Sequence, residues 1–230
     1  MRKLILSAAL ALLTAGVSAQ SKKTKTDSEL ELGIRGGISL AKYSGKGIYD
    51  VDYKNNNLYF ATLFADLKIK EWFLLQPGVS FQHKGARYST TAITGSALPV
   101  AKLKQKVAQI EVPINLIFNI NTGSFGAFQV NVGPYVGYNL YGKNKKEGNF
   151  YSTWGKLYTG GSTELNFGDD MADDLKPLDY GLNGGISYRT LGGFIVGANY
   201  GWGLSNLAPA ATSGNKLENR VLSFSIGSTF

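Results

Sequence analysis

Cysteine is missing from all 230 residues. Disulfide bridges and a lipid anchor on cysteine are therefore excluded, and strand pairing must hold any exported form of the chain together. No stretch is long and apolar enough to cross a membrane as a helix of about 20 residues, since the run from Leu4 to Leu13 is too short. Histidine occurs once, at His83, so one imidazole is available for acid–base work.

The amino-terminal segment has Arg2 and Lys3, then the apolar run, then small residues ending Val17-Ser18-Ala19. That is the layout of a secretory signal peptide, residues 1–19, with cleavage predicted after Ala19. Residues 20–29, with Lys22, Lys23 and Lys25, read as a flexible polar tail in the periplasm. Residues 30–230 read as one domain.

That domain alternates. At its end, Leu222, Phe224, Ile226 and Phe230 share one face while Val221, Ser223, Ser225, Gly227 and Thr229 share the other, a period of two. Similar segments fall near residues 30–40, 57–68, 72–84, 106–119, 126–140, 178–189, 193–204 and 219–230. The links between them alternate long and short: 41–56, 69–71, 85–105, 120–125, 141–177, 190–192 and 205–218. Short periplasmic turns and longer outer loops belong to an eight-stranded antiparallel up-and-down transmembrane β-barrel, with both termini in the periplasm. The 29 glycines suit a small barrel, where they let the sheet bend and let bulkier side chains opposite fill the interior.

One parity is apolar and faces lipid: Phe194, Val196, Ala198, Tyr200 and Trp202, or Ile110, Val112, Ile114, Leu116 and Phe118. Phe230, Phe194, Tyr188 and Phe73 are placed in a periplasmic aromatic girdle, and Trp202, Tyr138 and Phe81 in an outer one. A soluble lipocalin-like barrel would reverse the two faces. The other parity is polar, with Glu31, Arg35, Asp66, Lys68, Glu111 and Arg189 among Ser39, Thr62, Gln76, Ser80, Gln82, Asn115, Gln129, Asn131, Asn183 and Asn199. Eight strands leave an interior that side chains fill, so these groups are expected to pair as a structural network. Arg35 and Arg189 are the expected partners of Glu111, and Pro113 is expected to mark a bulge or kink.

Three constellations invite a sharper reading. A lipid A acyl-hydrolase on an outer barrel wall needs a histidine, a serine and an acid together. His83, flanked by Gln82 and Lys84, does not reproduce such a motif and reads as an outward imidazole near the upper interface. Asp169, Asp170, Asp173 and Asp174 could attract a hard cation, but Met171-Ala172 breaks their spacing, so a solvated loop is expected and no metal or cofactor. Phe150, Tyr151, Trp154 and Tyr158 in the longest loop form a candidate binding surface, or else pack as a lid over the barrel mouth.

The formal charge is +8; without Arg2 and Lys3, 22 basic residues stand against 16 acidic ones. Lys42, Lys46, Lys54, Lys84, Arg87, Lys102, Lys104, Lys106, Lys143, Lys145 and Lys146 are placed at the outer loops or rim. There they could neutralise lipopolysaccharide phosphates. An exported chain has no access to nucleic acid.

Four segments carry a family resemblance: Leu32-Gly33-Ile34-Arg35-Gly36-Gly37-Ile38-Ser39, Ile110-Glu111-Val112-Pro113-Ile114, Tyr180 to Tyr188, and Tyr200 to Asn206. Together they resemble the outer-membrane β-barrel domain family called PorT-like, abundant in Bacteroidetes-type bacteria. The resemblance implies a barrel in the outer membrane of a Gram-negative cell, and it implies no activity, since most members have none assigned. The expected role is non-enzymatic, structural or binding. Its partners would be outer-membrane lipids and lipopolysaccharide, the barrel-insertion machinery during assembly, and an envelope or extracellular protein or glycan. A narrow small-solute channel or transporter, or an accessory part of a protein secretion system, is the alternative.

Overall fold

A computed structural model describes residues 30–45, 52–90, 101–147, 150–151, 157–158, 160–170, 172–209 and 216–230. The expected signal peptide, tail and cleavage point lie outside these residues, as does Trp154. In chain order the strands are β1 (Leu30–Ser44), β2 (Asp52–Lys54), β3 (Asn56–Lys70), β4 (Phe73–Lys84), β5 (Arg87–Thr90), β6 (Ala101–Asn121) and β7 (Gly126–Glu147). There follow β8 (Phe150–Tyr151), β9 (Leu157–Tyr158), β10 (Gly161–Glu164), β11 (Leu178–Thr190), β12 (Phe194–Gly203) and β13 (Glu218–Thr229).

Eight of these close into a ring. Pairing runs β1–β3–β4–β6–β7–β11–β12–β13 and back to β1, every neighbour antiparallel. Closure leaves no free edge in the spanning region, the condition for strands in hydrocarbon. The tight turns have specific chemistry: Gly193 takes φ +81 between β11 and β12, a left-handed conformation that side chains disfavour.

Outside the ring wall the apolar parity is exposed to lipid, including Ile34, Ile38, Leu63, Ile114, Val130, Ile186, Val196 and Ile226. Aromatic rings gather at both ends, Trp72, Phe73 and Phe118 near one and Tyr200 with Trp202 near the other. Inside, glycine makes room for bulk. A Cβ at Gly33 would strike the Phe64 ring, and one at Gly137 would strike the Gln109 amide.

Two features depart from expectation. Strands β6 and β7 run for 21 and 22 residues, about twice the 9–11 that crossing requires. The excess, roughly 35–40 Å of strand at about 3.3 Å per residue, continues upward as a sheet. β5 and β2 join it beside β6, and β10 joins beside β7. Parts of three long links are thus strand, β2, β5, β8, β9 and β10 together with the outer ends of β1, β6 and β7, where loop was expected.

The second concerns the bulge. Ala108 pairs with Tyr141 and Gln109 with Asn139, so Leu140 is left over. The extra residue reverses the alternation of β7, whose buried positions pass from Asn139 to Gly142 and Asn144. Pro113, expected to mark a bulge or kink, carries no bulge. The register of β6 passes it unshifted, with only a short gap in the ladder where its missing amide cannot donate.

Candidate functional site: the barrel lumen and its outer cap

The lumen is built in layers. Toward the periplasmic end, Leu74, Ile117 and Ile195 turn inward and are buried, apolar residues that the polar-lumen reading did not anticipate. At the same end lies the first ion network, where Arg189, the register partner of Ile195, bridges β1, β3 and β13. Its guanidinium donates to Glu31, to Asp66 Oδ2 at 3.1 Å and to Thr229 Oγ1 at 2.8 Å. Asp66 also accepts from Gln76 Nε2 at 2.7 Å, and Arg35 donates to Gln76 Oε1 while stacking 4.6 Å from the Phe64 ring centre. Four of the six expected charges meet here. Lys68 does not, being exposed near the periplasmic turn beside a register shift.

The middle layer is neutral. Thr62 and Ser80 hydroxyls are 2.8 Å apart, Asn131 donates to Asn199 at 2.8 Å, and Ser187 donates to Gln129 at 3.1 Å. A space of about 70 Å³ lies among Thr62, Ser80, Asn115, Asn183 and Asn199, with Arg35 at one end of its lining and Lys84 and Glu111 at the other.

The second ion network closes the outer end, and its composition corrects the expectation. Glu111 pairs with neither arginine. Its partner is Lys84, at 2.7 Å, and the same ammonium lies 2.9 Å from Asp179 and 4.2 Å from the Tyr135 ring centre. Asp179 further accepts from Ser205 at 2.7 Å, Asn219 at 2.8 Å and Gln109 at 3.1 Å. Lys84 is therefore 3% exposed and not a rim lysine. The signal was available: Lys84 shares the parity of Gln76, Ser80 and Gln82, and Asp179 that of Asn183 and Arg189. Both sit at the expected end of a strand, where the parity of a single charge is easily passed over.

Above this network sits a small apolar core of Tyr43, Ala86, Val107, Leu165, Leu175, Leu207, Ala208 and Leu217, with Tyr53 and Phe167 packed against it. Leu175 is wholly buried. Apart from Val107 on β6, these residues come from four long links, and together they cap the barrel mouth. The backbones of Phe150, Tyr151 and Tyr158 form the separate β8–β9 ladder.

The acidic run belongs to this cap. Asp174 is buried and its carboxylate accepts the Asn166 amide at 2.9 Å, while that of Asp173 accepts the Asp170 amide at 2.9 Å. Asp173 and Asp174 thus shape a turn, while Asp169 and Asp170 are exposed as expected of a solvated loop. Beside the cap, Glu218 is bound by Arg220 and Lys216, each at 2.7 Å. Burial alone would raise its carboxyl pKa, but the hydrogen bonds from Lys216 and Arg220 outweigh it and hold the group below its ordinary range.

His83 lies on the outward parity expected of it, beside the exposed Tyr59 and Phe81 near the outer end of β4. It is buried between the Tyr59 and Phe81 rings, at 4.3 and 5.2 Å, and Lys106 lies over Tyr59.

A family model described as an outer membrane protein beta-barrel domain matches residues 18–208. Among solved structures, the chain is similar to Ail, the attachment invasion locus protein of Yersinia pestis, at 15% identity. That match covers 87% of this chain and 98% of that one, with a TM-score of 0.44. Neisserial surface protein A is 13% identical over 88% of this chain and 98% of that one, at 0.47. OprG from Pseudomonas aeruginosa is 11% identical over 87% and 95%, at 0.46. No curated protein matches.

Proposed function

We infer that this chain, which belongs to the outer membrane protein beta-barrel domain family, is a sealed, non-enzymatic pedestal that holds a rigid outer sheet above the membrane for binding. The observation that carries this reading is the stacking of closures along one axis: a periplasmic ion network with buried apolar residues beside it, a second ion network and an apolar cap. A charge moving through would have to break Arg189–Asp66 and Lys84–Asp179 in turn, each buried where an unpaired charge is costly. The cap then adds a dry barrier above them.

The non-enzymatic part is supported by His83, whose imidazole is enclosed by two rings rather than open to a lipid substrate. Export by a cleaved signal peptide into a Gram-negative outer membrane fits the amino-terminal pattern, and the four quoted segments support the PorT-like subfamily. The loop aromatics remain part of the presenting surface in this reading.

Single-channel recording of the folded protein tests it, with wild type beside Glu111→Ala and heat-modifiable gel mobility to show that both have folded. Silence in both is expected, because the remaining layers still close the lumen. Reproducible conductance steps in the wild type that change with Glu111→Ala would overturn the sealed reading in favour of a small-solute path.

A further inference from the structure

We propose that the outward face of the raised sheet binds the phosphorylated saccharide layer of the surrounding lipopolysaccharide leaflet, gripped by a cross-strand row of cations centred on Arg87, Lys104 and Lys145. It rests on the reading of the chain as an outer-membrane barrel and names the partner of the raised sheet.

The row is set by register. Lys54 on β2 stands opposite Arg87 on β5, Arg87 opposite Lys104 on β6, and Lys104 opposite Lys145 on β7. Four cations lie abreast, about 4.8 Å apart from strand to strand, on a row of roughly 14 Å. One step toward the membrane, Lys106 stands opposite Lys143. The bulge at Leu140 brings Lys143 and Lys145 to this face, since without it their parity would turn them inward.

Like charges directly opposite one another destabilise a sheet, so the fold itself gives no reason for this arrangement. Among the described residues, Arg87, Lys104 and Lys145 have no acidic partner, and all three are exposed. Of the carboxylate residues along these strands, Glu164 stands opposite Lys143 at 3.9 Å, Glu147 opposite Lys102 one step beyond the upper row, and Asp52 two residues from Lys54, which leaves the centre of the row, Arg87, Lys104 and Lys145, facing only cations across the strands. A surface with repeated positive charge and little counter-charge is complementary to a chain bearing repeated anionic groups.

Direction and height select the source. The outward parity of β6 that meets lipid at Phe118, Leu116 and Ile114 continues through Ile110 to Lys106 and Lys104, so the row looks sideways from the barrel wall. A partner therefore arrives from the leaflet alongside. Lys104 is six residues beyond Ile110, roughly 20 Å along the strand and about 15 Å in height at a strand tilt near 40°. Lys106 and Lys143 stand lower, nearer the apolar boundary and its phosphates. The Arg87–Lys104–Lys145 row stands higher, among the sugars.

The test uses the full folded protein in neutral detergent and the triple variant Arg87→Gln, Lys104→Gln, Lys145→Gln, with heat-modifiable mobility confirming the barrel. Binding is measured against lipopolysaccharide with a phosphorylated core, the same material enzymatically dephosphorylated, and dextran sulfate as a free polyanion. Loss of three contacts is expected to weaken binding to phosphorylated lipopolysaccharide on the order of 100-fold, with a reduced salt dependence. Both proteins should bind the dephosphorylated form alike. The thermal midpoint of the variant in neutral detergent should equal or exceed that of wild type, because repulsion has been removed.

Unchanged affinity for phosphorylated lipopolysaccharide would overturn the proposal. Loss confined to dextran sulfate would also overturn it, pointing to a free extracellular glycan. A lowered midpoint in neutral detergent would assign the row a structural role instead. Conductance steps would defeat the sealed pedestal but leave these affinities unmoved, so the two failures are distinguishable.

Discussion

The same residue types behave oppositely in the lumen and on the flank of the raised sheet. Inside the barrel, Lys84 and Arg189 each meet two carboxylates. On the flank, Arg87, Lys104 and Lys145 meet one another. The dielectric explains the contrast. A buried ion must be compensated within the protein, because leaving it unpaired costs several kcal/mol. An exposed one is compensated by water and salt, so selection can leave it uncompensated for something outside to meet. Charge that is paired holds the molecule together, and charge left over faces a partner.

That contrast breaks most sharply at Lys84. Lys84→Met leaves Glu111 and Asp179 side by side without their cation, and a loss of about 3–5 kcal/mol is expected. Urea unfolding in micelles, followed by tryptophan fluorescence, measures it. A loss comparable to a surface lysine substitution would mean that the outer network is hydrated and the lumen open. Leu175→Ala tests the cap on the same assay: about 2–5 kcal/mol is expected if the cap is a packed core, depending on how far the site collapses. Little change would mean that the cap is a loose covering.

Arg189→Met should cost less than Lys84→Met, because its guanidinium is 18% exposed and partly hydrated. Equal losses would remove the distinction between the two networks. The smallest effect concerns Glu218, paired at the edge of the cap. Its folded carboxyl titrates below the unfolded value of about 4.3, so its contribution is present above that pH and is lost as pH falls through the folded value. Wild type should therefore lose more stability than Glu218→Gln on acidification through that window. Parallel pH profiles would show that the pairs with Lys216 and Arg220 do not hold in solution.

Much of the fold was legible because a two-residue period carries both strand and face. Phe118, Leu116 and Ile114 announce lipid by what they are, and Gln76, Ser80 and Asn115 announce lumen by sharing the other parity. The site was harder to read. Parity says which way Glu111 points, yet its partner lies 27 residues away on β4, at a height set by register across the ring. Lys84 reads as a rim residue, and Asp179 carries no signal of its own beyond its parity, because strand ends are the least certain part of a periodic reading. The cap was less legible still: Leu165, Leu175, Leu207 and Leu217 are isolated apolar residues in polar links, with no period to join them.

By itself, then, the sequence determined an eight-stranded barrel with an apolar wall and a polar interior, because local backbone geometry converts alternation into faces. The tertiary structure alone decided which charges meet, where the lumen closes, and that four cations line up across the raised sheet. Those outcomes depend on register between strands distant in sequence, and on one bulged residue, Leu140, that exchanges the faces of everything beyond it in β7.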